Sequence, residues 1–165
     1  MNFRDIAAFR AFLRGELPGR INEGISLGLV QAGEMIAGEM RGELGTYQKG
    51  DAGFEDWAPL SNATLEGFGP VPPKKNGDTP LLEDGTMRDS IGYRVHADGV
   101  EIGTDDPVAV FQDQGTERRG VPFVKDITVE PGVPGREFVG RAGFRKAPEA
   151  ADAIGAAVAG AMVKP

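Results

Sequence analysis

The chain has 165 residues and a formal net charge of −7, from 25 acidic and 18 basic side chains. Proteins that bind DNA specifically usually carry the opposite sign because they neutralise backbone phosphates, so we expect no specific nucleic-acid partner. The absence of cysteine excludes a disulfide framework and thiolate chemistry. The 25 glycines and 12 prolines predict many turns.

Neither end of the chain predicts a secretion signal or a membrane span. The first residues, MNFRDIAAFRAFLRGEL, form an amphipathic pattern interrupted by charges, whereas a signal peptide needs an uninterrupted apolar stretch of roughly 7–15 residues. The apolar run Ala156–Val163 is far shorter than the ~20 residues of a membrane helix. We therefore expect no membrane segment.

Two helices are predicted at the start of the chain, over Phe3–Arg14 and Pro18–Leu44. The second carries apolar residues at helical spacings of four, three, four and four: Ile25, Leu29, Ala32, Ile36 and Met40. Five glycines follow its first turn: Gly24, Gly28, Gly33, Gly38 and Gly42. Each glycine weakens a helix by about 1 kcal/mol relative to alanine. Two interpretations stay open. The glycines either allow another backbone to approach closely, or they leave a marginally stable helix that its neighbours hold in place.

Between residues 45 and 85 the apolar residues show almost no helical or strand periodicity, and 12 of these 41 residues are glycine or proline. A long irregular segment inside a compact domain is usually functional or becomes ordered on a partner. Within this segment, the stretch WAPLSNATLEGF predicts a short helix capped by Ser61 or Asn62. We expect this stretch to pack on the core through Trp57, Leu60 and Leu65. For Trp57, a packing role is favoured over stacking on a ligand.

The segment PLLEDGTMRDSIGYRV predicts a stop at Asp84-Gly85, one helical turn over Thr86–Ser90, and then a strand from Ile91. Asp98-Gly99 is a strong hairpin signal and leads into a return strand from Val100. A two-residue turn there places three pairs on one face of the sheet: Ala97 with Val100, Val95 with Ile102, and Tyr93 with Thr104.

Further elements follow the hairpin. Asp106-Pro107 predicts a helix start, with Val108 and Phe111 facing inward and Gly115 ending the helix. Residues 123–129 predict another strand, and 148–163 predict a final helix. The last helix has four residues at a spacing of four: Ala150, Ile154, Val158 and Met162.

Residue types that carry catalysis are few. The single histidine, His96, lies on the polar face of a predicted strand. With one histidine and no cysteine in the sequence, neither a multi-histidine metal site nor a cysteine–histidine pair can form. Carboxylates recur in pairs that could hold Mg²⁺ or transfer protons: Glu83 with Asp84, Asp105 with Asp106, and Asp113 near Glu117. Two of these carboxylates already have capping roles. We therefore predict no catalytic residue, no metal site and no cofactor.

One exposed basic pair stands out. Arg118 and Arg119, in the sequence GTERRG, fit a solvated loop tip, or a contact with an acidic partner. The chain as a whole predicts an α+β fold in one domain over 1–165. N-terminal helices occupy 1–44, an extended arm or loop 45–85, a core of antiparallel sheet 86–146 and a C-terminal helix 147–165. Such a chain without an evident active site is typical of a structural or assembly protein.

Four stretches in a fixed order resemble one protein family: WAPLSNATL, PLLEDGTMRDSIGYRV, VEIGTDDPVAVFQDQGT and VPGREFVGRA. Together they are similar to the virion morphogenesis and tail-completion family of tailed phages, of the Mu and P2 kind, and to related head–tail joining proteins. The resemblance covers about residues 55–145. The matching residues are Trp57, Pro59, Leu60, Ser61, Thr64, Pro80, Leu81, Leu82, Gly85, Arg88, Ser90, Ile91, Ile102, Gly103, Thr104, Gly115, Pro134, Arg136, Phe138 and Gly140.

The chain departs from the family pattern at several positions. Asp84 stands for the usual threonine, Met87 for leucine, and Glu137 for a common proline. Gln112 and Gln114 occupy positions where the family often has a histidine and an aromatic residue. These departures affect which subgroup the chain resembles, and not the expected fold.

The resemblance implies a non-enzymatic virion protein, a neck, tail-completion or tail-terminator ring that is commonly hexameric. Expected partners are copies of the chain and other neck, portal-connector or tail-tube proteins, with DNA passing through the lumen without specific binding. Assembly would take place in the bacterial cytoplasm. Structural or oligomer contacts are expected at Trp57, Leu60, Leu82, Gly85, Arg88, Ser90, Arg118, Arg119, Arg136 and Phe138.

Three alternatives remain open. The first is a portal adaptor or stopper that completes the head. The second is a small carboxylate-dependent hydrolase that acts during assembly. The third is a monomeric inhibitor or adaptor domain.

Overall fold

The computed structural model describes residues 2–70, 72–116 and 132–163. The predicted strand over 123–129, Arg118 and Arg119 lie outside the described residues. The elements in chain order are α1 (Ile6–Arg14), α2 (Glu16–Glu43), α3 (Asn62–Glu66), α4 (Thr86–Asp89), β1 (Ile91–Val95), β2 (Val100–Thr104), α5 (Pro107–Gln114) and α6 (Phe138–Val163). Within the described ranges, β1 and β2 form one antiparallel two-stranded sheet. The α+β class is confirmed, with a small sheet. None of the described helices is long and apolar enough to cross a membrane.

The described residues divide into two compact units. Unit 1 consists of residues up to 38, 92–102 and those from 144 onward. Unit 2 consists of 39–91 and 103–143. Because α2, α6 and both strands continue across these boundaries, each unit contains parts of them.

In unit 1, α2 packs against α6 through glycines. A Cβ atom added at Gly24 would lie 2.6 Å from Cα of Val158, and one at Gly28 would lie 2.6 Å from Cα of Ile154. This confirms the close-approach interpretation for these two glycines. At Gly38 an added Cβ would meet no atom within 4 Å, so this glycine only weakens the helix.

The hairpin of unit 1 packs on α2, because a Cβ at Gly33 would lie 2.6 Å from the ring of Tyr93. The backbone N–H of His96 donates to the carbonyl of Gly99 at 2.8 Å. This bond closes the hairpin around Ala97 and Asp98, so the predicted turn at Asp98-Gly99 was wrong by one residue. Val95, and not Ala97, therefore lies opposite Val100.

Local signals for α3, α4 and α5 are confirmed in unit 2. Ser61 caps α3 by accepting from the N–H of Thr64 at 3.2 Å. Gly85 precedes α4 with a left-handed φ of 91°, a conformation that glycine adopts without strain. Asp106 caps α5 by accepting from the N–H of Val108 at 2.8 Å, and Gly115 ends that helix.

Helix α6 begins at Phe138, ten residues before the predicted start at Pro148, which lies inside the helix. The carboxylate of Asp113, from α5, accepts from the N–H of Val139 at 3.0 Å, so the cap comes from a distant part of the chain. Phe138 itself is fully buried. The prediction took Pro148 as a helix start because local patterns carry no sign of such a long-range cap.

The long irregular segment is held within unit 2 by one buried arginine. The guanidinium of Arg141, 1% exposed, donates to the carbonyls of Lys49 and Glu55, each at 2.6 Å. It also lies 3.4 Å from the carboxylate of Asp51 and 5.2 Å from the centroid of the Phe54 ring. One side chain thus holds the stretch 49–55, which lies outside the helices and strands.

Candidate functional site

The outer face of α5 is apolar. Val108, Val110 and Phe111 are 51%, 54% and 57% exposed, and Ala109 is the buried apolar residue of the helix. At about 100° per residue, the three exposed side chains span an arc of about 160°. The prediction that Val108 and Phe111 face inward was wrong, because α5 turns Ala109, Gln112 and Asp113 toward the rest of unit 2. We call the surface of Val108, Val110 and Phe111 the α5 face.

A cleft of about 410 Å³ in unit 2 lies beside the α5 face, and Val108 belongs to both. Four residues predicted as contacts line this cleft: Leu60, Leu82, Gly85 and Arg136. They come from three of the four stretches that carry the family resemblance. The structure therefore brings these separate stretches together at one place.

Arg136 is a buried cation in the wall of the cleft. It is 4% exposed, and its guanidinium makes two long contacts, 3.4 Å to Oε1 of Gln112 and 3.4 Å to the carbonyl of Ala58. Within the described ranges its Nε has no hydrogen-bond partner and its guanidinium forms no ion pair. Burial lowers the pKa of Arg136. A buried charge with so few contacts is costly, so Arg136 is poorly compensated by the residues that the structure describes.

The carboxylates that line the cleft already have partners. Glu83 accepts from Nζ of Lys74 at 2.7 Å, and this bond lowers the pKa of Glu83. Asp84 accepts from the N–H of Thr86 at 2.9 Å, while Asp106 caps α5. In the part of the chain that the structure describes, no group of three or more histidine or acidic residues is placed to hold a metal ion.

A pH dependence follows from Asp84, whose pKa is held below the ordinary value of 3.8 mainly by the backbone N–H of Thr86. Because the folded state favours the ionised carboxylate, Asp84 stabilises the fold above pH 3.8. That contribution is lost as the pH falls through the lower folded-state pKa. Asp84→Ala is expected to lower the urea midpoint at pH 7, and the difference from the parent should disappear in acid.

The control for Asp84→Ala is Asp98→Ala, which removes one exposed carboxylate with no hydrogen-bond partner among the described residues. It produces the same change in net charge. Equal pH profiles for the two variants would contradict a capping role for Asp84.

The other predicted contact residues have different settings. Trp57 is 5% exposed and Phe138 is fully buried, so both serve the core of unit 2. Ser90 donates to the carbonyl of Met87 at 2.7 Å and shares a hydrogen bond with the hydroxyl of Thr104. Arg88 is exposed, with Asp89 at 3.1 Å. Of these four residues, only Arg88 is exposed.

A second apolar surface lies on α1, in unit 1. Four of its apolar side chains are between 36% and 72% exposed: Phe3, Ile6, Phe9 and Leu13. We call this surface the α1 face. The rings of Phe3 and Phe9 lie 5.1 Å apart, and α1 itself has no buried residue. The sequence predicted the apolar side of this helix and gave no sign that it would be exposed.

Comparisons with known protein families, with curated proteins and with solved structures found no match for this chain.

Proposed function

We propose that the chain is a non-enzymatic structural protein of a tailed phage. In this proposal, copies of the chain form a ring, commonly of six, at the head–tail junction. The ring joins tail to head and DNA passes through its lumen. The observation that carries the proposal is the pair of apolar helix faces, on α1 and on α5, that the isolated chain leaves exposed.

Exposed apolar residues that occur singly are normal on protein surfaces. Contiguous ones mark contact surfaces. On α5, three neighbouring side chains are each more than half exposed, and the cleft with its poorly compensated Arg136 lies next to them. This arrangement favours a protein that docks on other subunits over one that works alone.

The family resemblance supplies the identity of the assembly. Its motif residues Leu60, Leu82, Gly85 and Arg136 come from three separate stretches of the sequence and line one cleft. Residues that serve a shared surface are expected to meet in this way. The convergence therefore supports the resemblance, which points to the neck or the tail end of a virion.

The charge of the chain suits a channel for DNA. Six copies at −7 carry 6 × −7 = −42. A negative lumen repels phosphates, so DNA would slide through without binding. A portal adaptor or stopper would use the same surfaces. Co-purification with heads or with free tails separates that alternative from a tail-completion ring.

The test is deletion of the gene in the phage that encodes the chain. Tail-less heads beside finished tails are expected by electron microscopy, and complete infectious particles would contradict the proposal. Complementation with Phe111→Asp is expected to lower the yield of infectious particles by about tenfold or more, since a buried charge weakens a docking contact by at least 1.4 kcal/mol.

Phe68→Asp is the matched control for Phe111→Asp. Phe68 is 77% exposed and lies in unit 2 outside the α5 face, so this variant should complement fully. Both substitutions change the free energy of unfolding by about 0.5 kcal/mol or less, because both side chains are exposed. Equal complementation by the two variants would remove the α5 face from the assembly.

A further inference from the structure

The α1 face is longer than the α5 face. At about 1.5 Å per residue, the α1 face from Phe3 to Leu13 extends over about 15 Å, and the α5 face from Val108 to Phe111 over about 5 Å. The α1 face of one copy can therefore cover the whole α5 face of another copy.

The charges beside the two faces are opposite in sign. Residues 4–14 carry three arginines and one aspartate, whereas 105–115 carry three aspartates and no basic residue. Arg10 and Arg14 are exposed in the C-terminal half of α1, and Arg10 lies one helical turn from Ile6 and from Leu13. Asp105 is exposed two residues before the start of α5. Within the described ranges none of these three side chains has an ion-pair partner.

We propose that the α1 face of one copy docks on the α5 face of the next copy, with Arg10 and Arg14 meeting Asp105. This inference rests on the proposed function and specifies its subunit contact. The contact joins two different surfaces, so each copy uses α1 toward one neighbour and α5 toward the other. A head-to-tail contact of this kind generates a closed ring when its rotation closes.

The size of the faces sets the strength of one contact. Stable protein pairs bury roughly 1,200–2,000 Å² in total, and two helices of two or three turns supply only part of that area. A single α1–α5 contact is therefore weak, and ring closure or a neighbouring virion protein strengthens it. The isolated chain is expected to associate only at high concentration.

The absence of cysteine from the chain permits a direct test by cross-linking. A copy with Phe9→Cys is mixed with a differently tagged copy with Val110→Cys, at concentrations where the chain associates, and the mixture is oxidised mildly. A disulfide between positions 9 and 110 is expected severalfold above the 9–9 and 110–110 products. Leu13→Cys with Val108→Cys supplies a second pair, in case one of the first variants folds poorly.

The matched control carries Asp152→Cys, an exposed position on α6, in place of the cysteine at 110.

A charge swap adds a second readout. Arg10→Glu should lower the 9–110 yield severalfold, and Asp105→Lys in the other copy should restore it. Yields at the level of the control, dominant 9–9 or 110–110 products, or a swap without rescue would each overturn the contact.

Failure of the contact and failure of the proposed function give different results. Rings at the head–tail junction without the 9–110 disulfide would overturn the α1–α5 contact alone. A 9–110 disulfide in a chain that is absent from virions would overturn the proposed function alone.

Discussion

Replacing Arg141 with methionine is expected to lower the free energy of unfolding by about 3–5 kcal/mol, the largest effect of any single change considered. The substitution leaves the part-buried carbonyls of Lys49 and Glu55 without their donors, and an acceptor that loses its partner in a buried setting costs about 1–3 kcal/mol. Methionine fills much of the same volume, so the loss reports the hydrogen bonds more than a cavity. Urea denaturation measures it.

The control is Arg94→Met, the same substitution at an exposed position of β1. It should change the free energy of unfolding by about 0.5 kcal/mol or less. Limited proteolysis adds a local readout, because release of the segment over 49–55 should raise its cleavage rate in the Arg141 variant. A loss below about 1 kcal/mol would show that the segment is held by other contacts.

Gly28→Ala is expected to destabilise the fold by about 1–3 kcal/mol, the usual range for overpacking a tight contact. The new Cβ would lie 2.6 Å from Cα of Ile154, so the backbones of α2 and α6 would have to separate. Thermal and urea unfolding measure the change.

Gly38→Ala in the same helix should have the opposite sign. A Cβ there meets no atom within 4 Å, and alanine is favoured over glycine in a helix by about 1 kcal/mol. The variant should therefore be more stable than the parent. Stabilisation by both substitutions would contradict the close packing of α2 on α6.

The parts of the fold that the sequence predicted are those with local causes. Ser61, Gly85, Asp106 and Gly115 begin or end their helices through contacts a few residues away, so residue type and spacing suffice. The apolar period of α2 and the alternation of β1 and β2 are equally local. Each of these elements lies within two residues of the predicted place, apart from the one-residue shift of the hairpin turn.

The errors come from contacts between distant residues. The start of α6 depends on the carboxylate of Asp113, which is 26 positions from Val139. The exposure of Phe111 depends on where the small side chain of Ala109 meets the core. The burial of Arg141 depends on carbonyls 86 and 92 positions away. A local sequence pattern does not predict such long-range contacts. Arginine is also expected at the surface, so the burial of Arg141 was not predicted.

The candidate site was predicted in part. The family motif selected Leu60, Leu82, Gly85 and Arg136, which line the cleft. It did not select Val110, because one valine in a short helix carries no signal of exposure. The sequence predicted that the α1 face is apolar. Its exposure depends on how the helices pack, which a local pattern does not predict.

Docking of copies of the chain through surfaces that are exposed in one copy is the central feature of the proposed function. An electron cryo-microscopy map of virions from the phage that encodes it tests this claim most directly. The map should show a closed ring of copies at the head–tail junction, with α1 of each copy against α5 of its neighbour. A single copy located away from the junction would contradict the claim.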